Sequence, residues 1–173
     1  MEFVIIVLTV TVSTIITNSI SHVTQTRASV SDINFCKEGL KMKKIGFIGA
    51  GNMATAIIKG LMAQNDGKAD FINVFDVSEE KCAAMKNMGA NVMTSADEIA
   101  KNSSIVVLAV KPQNYPEVLE SLKNSITTAK TVVSIAAGIS IAYVRKGLEC
   151  DCPVVRVMPN TPLLLKKGDR KSV

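Results

Sequence analysis

The sequence predicts an α/β fold, a doubly wound parallel sheet with helices on both faces. Three observations predict it. From Lys43 onward, short aliphatic runs alternate with stretches whose apolar residues recur at helical spacing. One run, Ser104–Val110 (SIVVLAV), is apolar after its first residue, as a strand covered on both faces must be. A glycine-rich turn, Gly49-Ala50-Gly51, stands between the first aliphatic run and the first helical pattern. A strict β-α-β-α order needs crossover connections, and right-handed crossovers wind helices over both sides of a parallel sheet.

The elements follow in order. Lys43–Ile48 reads as a strand, and Asn52–Gln64 as a helix with Ala54, Ile57, Ile58, Leu61 and Met62 on one face. Phe71–Phe75 is a second strand. Ser78–Met88 is a helix, with Ser78 as N-cap, Glu79 and Glu80 in its first turn and Gly89 as its stop. Asn91–Met93 is a short strand and Ser95–Lys101 a short helix. Ser104–Val110 is the buried strand, Tyr115–Ile126 a helix, Thr131–Ile135 a strand, Ser140–Leu148 a helix and Pro153–Met158 a strand. There is no internal repeat.

A length of 173 residues suits one domain, at most one and a fraction. The 4% aromatic share speaks against a nucleic-acid binder that stacks bases. The net charge of +5 is local: Lys166–Val173 holds four basic residues and one acid, while residues 1–42 balance three against three. The stretch between is too weakly charged to be a nucleic-acid footprint. Cys36, Cys82, Cys150 and Cys152 lack metal-site spacing and read as reduced thiols. The single histidine, His22, lies outside the expected core, so the core has no His base, no Ser-His-Asp triad and no His-based metal site. No metal is expected. Difficult chemistry on such a domain falls to a cofactor.

Residues 1–42 are expected to lie outside the fold. Phe3–Thr17 (FVIIVLTVTVSTIIT) is short for the ~20 apolar residues of a membrane span and lacks the basic start of a secretory signal. A membrane anchor or signal, a transit peptide and an upstream extension compete. The last is preferred, because Met42-Lys43-Lys44-Ile45 resembles a start of its own with a strand directly behind it. The expectation is a cytoplasmic protein, with membrane association through residues 3–20 as the alternative.

Parallel sheets of this kind bind ligands beyond the carboxyl ends of their strands. The candidate positions are therefore the loops 49–53, 76–78, 111–114, 136–139 and 159–162. Gly49-Ala50-Gly51-Asn52-Met53-Ala54 is a G-x-G-x-x-A between strand and helix, the context in which this motif marks a Rossmann-type dinucleotide site. Gly49 permits the turn, Gly51 lets a pyrophosphate approach the backbone, and Ala54 lets helix and strand pack closely. The helix start offers free N–H groups to the phosphates. Asp76 ends the second strand, where an acid hydrogen-bonds the adenosine ribose and repels a 2′-phosphate. It leans toward NAD(H) over NADP(H), although Ser78 and Lys81 follow and can accept a phosphate. Lys111-Pro112 turns the chain sharply after the buried strand. In Met158-Pro159-Asn160-Thr161-Pro162 two prolines hold Asn and Thr in fixed directions.

KKIGFIGAGNMATAIIKGL, VVLAVKP, VVSIAAGIS and VRVMPNTP, in this order and spacing, resemble the N-terminal domain of pyrroline-5-carboxylate reductase over about residues 43–162. That family makes proline by hydride transfer from NAD(P)H to the C=N bond of 1-pyrroline-5-carboxylate. The resemblance implies cofactor contacts at Ile48, Gly49, Ala50, Gly51, Asn52 and Met53, at Asp76, at Ala109, Val110, Lys111 and Pro112, and at Ala136, Ala137 and Gly138. It puts Asn160 and Thr161 near the nicotinamide and the substrate. Position 76 varies in the family, so cofactor choice does not transfer. Family members continue past the MPNTP loop into a helical domain that forms the dimer and holds the substrate. Residues 163–173 depart from that pattern and read as a divergent basic tail, so the expectation is a truncated chain that binds dinucleotide weakly and reduces little or no substrate. No titratable residue is an obvious proton donor to the imine, and the catalytic residue stays open. The competing readings are another two-domain Rossmann dehydrogenase, of the β-hydroxyacid or prephenate type, and a non-catalytic dinucleotide-binding fragment. The MPNTP loop disfavours the first.

Overall fold

In a computed structural model, residues 44–63 and 65–158 are described. The hydrophobic leader, Gln64, the loop from Pro159 to Pro162 with its Asn160 and Thr161, and the basic tail lie outside the described residues. The chain runs β1 (Ile45–Ile48), α1 (Asn52–Ala63), β2 (Ile72–Phe75), α2 (Glu79–Asn87), β3 (Asn91–Val92), α3 (Ala96–Asn102), β4 (Ile105–Leu108), a 3-10 turn (Pro112–Asn114), α4 (Tyr115–Leu122), β5 (Thr131–Ser134), α5 (Ile141–Leu148) and β6 (Val154–Arg156). All strand pairs are parallel, in the order β3-β2-β1-β4-β5-β6. The chain winds outward from β1 in one direction, returns, and winds outward from β4 in the other. The point of reversal lies between β1 and β4.

Each strand is short and, in the centre, buried on both sides: every residue of β1, β4 and β5 is buried. That is why Ile105–Leu108 reads without alternation. One face carries α3, α4 and α5. Ile99, Leu119, Leu122, Val144 and Leu148 from these helices form a core with Ile48, Val106, Leu108, Val132 and Val154 from the sheet. Burying such a side chain stabilises the fold by about 1.5–3 kcal/mol. Right-handed crossovers place α1 and α2 on the opposite face, where α1 buries the stripe Ala54, Ile57, Ile58 and Leu61.

Several elements end earlier than the apolar pattern suggests, and the ladder explains why. β4 stops at Leu108 although apolarity continues through Val110, because its partner β1 turns away into the glycine loop; Ala109 N–H to Ile48 O, 2.8 Å, is the last rung. α4 stops at Leu122, where Ser125 and Ile126 N–H both turn back to Leu122 O at 3.0 Å. Ile126 remains buried without being helical. β6 begins after Pro153, which has no N–H for a ladder. α2 ends as expected: Gly89 has φ +89°, and Ala90 N–H reaches back to Met85 O.

Its start differs. Ser78 occupies the N-cap of α2, but its side chain makes no capping bond. The Asp76 carboxylate accepts the Ser78 N–H at 2.9 Å instead, closing a turn ahead of the helix. At α3 the cap is a side-chain one. Ser95 Oγ accepts from Glu98 N–H at 3.1 Å, and Glu98 Oε2 accepts from Thr94 N–H and Thr94 Oγ, both at 2.8 Å.

Candidate functional site

The loops after β1, β2, β4 and β5 open on the same edge of the sheet, the carboxyl edge, and those after β1 and β4 flank the point of reversal. Ile48 is buried at the end of β1. Gly49 follows with φ +101°, its N–H donating to Phe75 O at 2.8 Å. A Cβ on Gly49 would lie 2.6 Å from Ala109 O. Both the left-handed backbone and this contact demand glycine. The two loops therefore touch through their backbones, with no side chain between.

Gly51 differs. A Cβ there would meet nothing within 4 Å. The space is open and lies at the first turn of α1. Thr55 N–H returns to Gly51 O at 2.9 Å as the first helical bond, so the N–H groups of the residues before it have no partner within the helix. Asn52 is exposed, Met53 half-buried and Ala54 fully buried. An opening bounded by free N–H groups at a helix start is where anionic groups gain most from a helix. Ala50 is buried, and its N–H does not point there: it donates to Asp76 Oδ2 at 2.7 Å.

Asp76 sits one residue past β2 with a side chain 7% exposed. Burial works against its charge. The hydrogen bonds from Ala50 and Ser78 N–H and the Lys81 ammonium, 3.5 Å from Oδ2, outweigh that and hold its carboxyl below the usual range. The sequence suggested a carboxylate that hydrogen-bonds an adenosine ribose. In the structure its oxygens accept from the Ala50 and Ser78 backbone N–H groups. Val77, beside it, is 91% exposed, an apolar side chain at the rim that the motif reading passed over.

On the β4 side, Ala109 and Val110 are half-buried, and Lys111 and Pro112 are exposed. Pro112 starts the 3-10 turn, and Asn114 N–H closes it onto Lys111 O at 2.9 Å. On the β5 side, Ala136 is buried, Ala137 and Gly138 are exposed, and Gly138 has φ +77°. A group the sequence reading missed ties these two loops together. The Tyr115 hydroxyl donates to Leu108 O at 3.1 Å and lies 2.9 Å from Ser134 Oγ, joining the ends of β4 and β5. Burial pushes its phenol up. The clue in the sequence is a tyrosine at helical spacing with Leu119 and Leu122, on the face that packs inward, whose hydroxyl needs a partner once buried.

Among the described residues, no helix is long and apolar enough to cross a membrane, and no group of three or more His, Cys, Asp or Glu could hold a metal ion. Cys82, Cys150 and Cys152 are free thiols.

This sheet order, with a glycine loop at the point of reversal, defines a dinucleotide-binding class of oxidoreductase domain. Residues 44–138 match the family model described as "NADP oxidoreductase coenzyme F420-dependent", and the chain belongs to that family. Among the proteins it is similar to are pyrroline-5-carboxylate reductases. The enzyme of that name from Escherichia coli (strain K12) is 41% identical over 127 residues, 73% of this chain and 47% of that protein. A solved pyrroline-5-carboxylate reductase from Coxiella burnetii superposes with a TM-score of 0.67 at 36% identity, covering 73% of this chain and 47% of that one. The Plasmodium falciparum pyrroline carboxylate reductase, solved with NADP bound, superposes at 0.63 with 32% identity over 73% of this chain and 46% of that one. The chain thus spans about half the length of the relatives it matches. The resemblance carried by the four motifs holds for the family and for the fold.

Proposed function

We propose that residues 43–162 form the NAD(P)H-binding domain of a pyrroline-5-carboxylate reductase, an enzyme of proline biosynthesis that reduces the C=N bond of a small cyclic imino acid. One observation carries this reading: at Gly51 the direction of a Cβ opens into free space beside the unpaired N–H groups of α1, while two residues earlier Gly49 is locked against Ala109. A cradle that a single methyl group would begin to fill is what close approach of a pyrophosphate requires.

The residues fit the group. The N–H groups from Gly51 to Met53 would take the phosphates, Val77 offers an apolar rim for the adenine, and Ala109–Pro112 with Ala136–Gly138 would flank the nicotinamide half. When bound, the dinucleotide supplies a hydride. The chain's own contribution is position: the backbone contact of Gly49 with Ala109 and the Tyr115 bridge fix the loops before any ligand arrives, so little ordering is left to do on binding. We propose that Asn160 and Thr161 lie toward the substrate. Cofactor choice is also a proposal. Asp76 leans to NAD(H), but its carboxylate is covered and paired with Lys81, and that weakens its power to repel a 2′-phosphate. We therefore propose that the domain accepts both dinucleotides.

The test is a titration of the 173-residue chain followed by reduced-nicotinamide fluorescence. Saturable binding of NADH and NADPH, competed by ADP-ribose, is expected. An unchanged signal up to millimolar chain would reject the reading. Oxidation of NADPH with 1-pyrroline-5-carboxylate tests the reductase assignment separately.

A further inference from the structure

We infer that Asp76 is a positioning residue that latches the phosphate-binding loop, and that it does not choose between NAD(H) and NADP(H). The inference rests on the reading of the Gly49–Met53 loop as a dinucleotide site and goes beyond it, because an acid at the end of the second strand is ordinarily a reader of the ribose.

Four observations support the latch. The two carboxylate oxygens are divided between two segments: Oδ2 accepts from Ala50 N–H at 2.7 Å, across 26 residues of sequence, and Oδ1 accepts from Ser78 N–H at 2.9 Å. Lys81 adds an ammonium 3.5 Å from Oδ2. The backbone of Asp76 is itself held, its carbonyl accepting from the Cys82 thiol at 3.3 Å, and the preceding Phe75 carbonyl accepts from Gly49 N–H. With the side chain 7% exposed, little of the carboxylate is left for a ribose hydroxyl to reach.

The consequence for binding is geometric. Ala50 is the middle residue of the glycine turn. An amide turned toward a carboxylate is an amide turned away from a phosphate, so the latch decides which N–H groups face the ligand: those from Gly51 onward. It also holds the turn in a single shape before binding. Charge-assisted bonds of this kind are among the stronger ones available to a loop. Selection between the two dinucleotides then falls to groups nearer the 2′ position, of which the half-buried Ser78 hydroxyl and the exposed Lys81 are the candidates.

Asp76→Asn in the full chain separates the roles. Its amide oxygen keeps the turn to Ser78, and its NH2 confronts the Ala50 N–H, so the latch is lost and the turn is retained. The expected result is a fall in affinity for NADH and NADPH by a common factor, about tenfold, the size of one hydrogen bond to a charged group. The ratio of the two dissociation constants stays within twofold, and amide exchange at Ala50 quickens while that at Ser78 does not. A ribose reader behaves otherwise: NADH weakens, NADPH tightens, and Ala50 exchange is unchanged. That outcome overturns the inference. Asp76→Ser carries the same comparison if the asparagine variant does not fold. Should the wild-type chain bind neither dinucleotide, the site reading fails, and the exchange rates at Ala50 still decide whether the latch exists.

Discussion

Two glycines two residues apart face opposite demands, and the difference can be measured. Gly49→Ala forces a side chain into a left-handed backbone and against the Ala109 carbonyl. The conformation alone costs about 1–3 kcal/mol. The contact adds to that, because backbone lies on both sides and cannot give. The expected outcome is a clear fall in the urea midpoint. Gly51→Val places its side chain in open space. Its stability should stay close to wild type, apart from the small propensity of a β-branched residue at a helix start. Dinucleotide affinity should fall about a hundredfold or more, roughly 3 kcal/mol, because the side chain occupies the space a pyrophosphate needs. A Gly51→Val chain that binds as wild type would remove the main support for the site. Sequence alone could name both glycines, since the motif is local. It could not show that one is held by Ala109, because that contact joins residues sixty apart in the chain.

At the scale of elements, what could be read was period and what could not was pairing. The alternation of strands and helices is local and survived intact, as did the Gly89 stop of α2. Element ends depended on partners. β4 ends where β1 leaves it, and no property of Ala109 or Val110 announces that. Gly46 is a second instance: a side chain there would run into Ile99 and Ser103, so β1 and α3 approach at a distance only glycine permits. The close helix–strand packing was assigned to Ala54 from the motif. Gly46 does comparable work on the other face, and a lone glycine in a strand was its only signal. The cap of α3 is a local device with a local test. Ser95 Oγ takes one of the orphan N–H groups of a helix of only seven residues. Ser95→Ala should lower stability by about 1 kcal/mol, seen in thermal or urea unfolding. Ser95→Asp should restore most of it, and a helix indifferent to both would mean that tertiary burial of Ile99 and Ala100 holds it unaided.

Across the whole molecule, the acidic groups with lowered pKa set an expected pH dependence. Burial opposes the charge of Asp76, but its two backbone donors and Lys81 prevail. At Asp97 the bonds from Lys101 and Ser125 lower the pKa, and at Glu98 those from Thr94 do so. In each case the folded protein favours the ionised carboxylate more than the unfolded chain does. The folded state therefore binds fewer protons, and stability rises with pH through this range. Each contribution is whole above the ordinary values of 3.8 and 4.5 and is lost as the pH falls through the lower folded values. Asp97 and Glu98 lie at the surface, so their share is small and is screened by salt. Asp76 is the covered one, and its share should persist in salt. Urea midpoints are expected to be level near neutrality and to drop below about pH 4.5. In Asp76→Asn that acid limb should be shallower, with the neutral plateau lower. Equal acid limbs in the two proteins, at low and at high salt, would show that the carboxylate contributes nothing through its charge. The latch would then be no stronger than a neutral hydrogen bond, and the common loss of affinity for both dinucleotides should shrink with it.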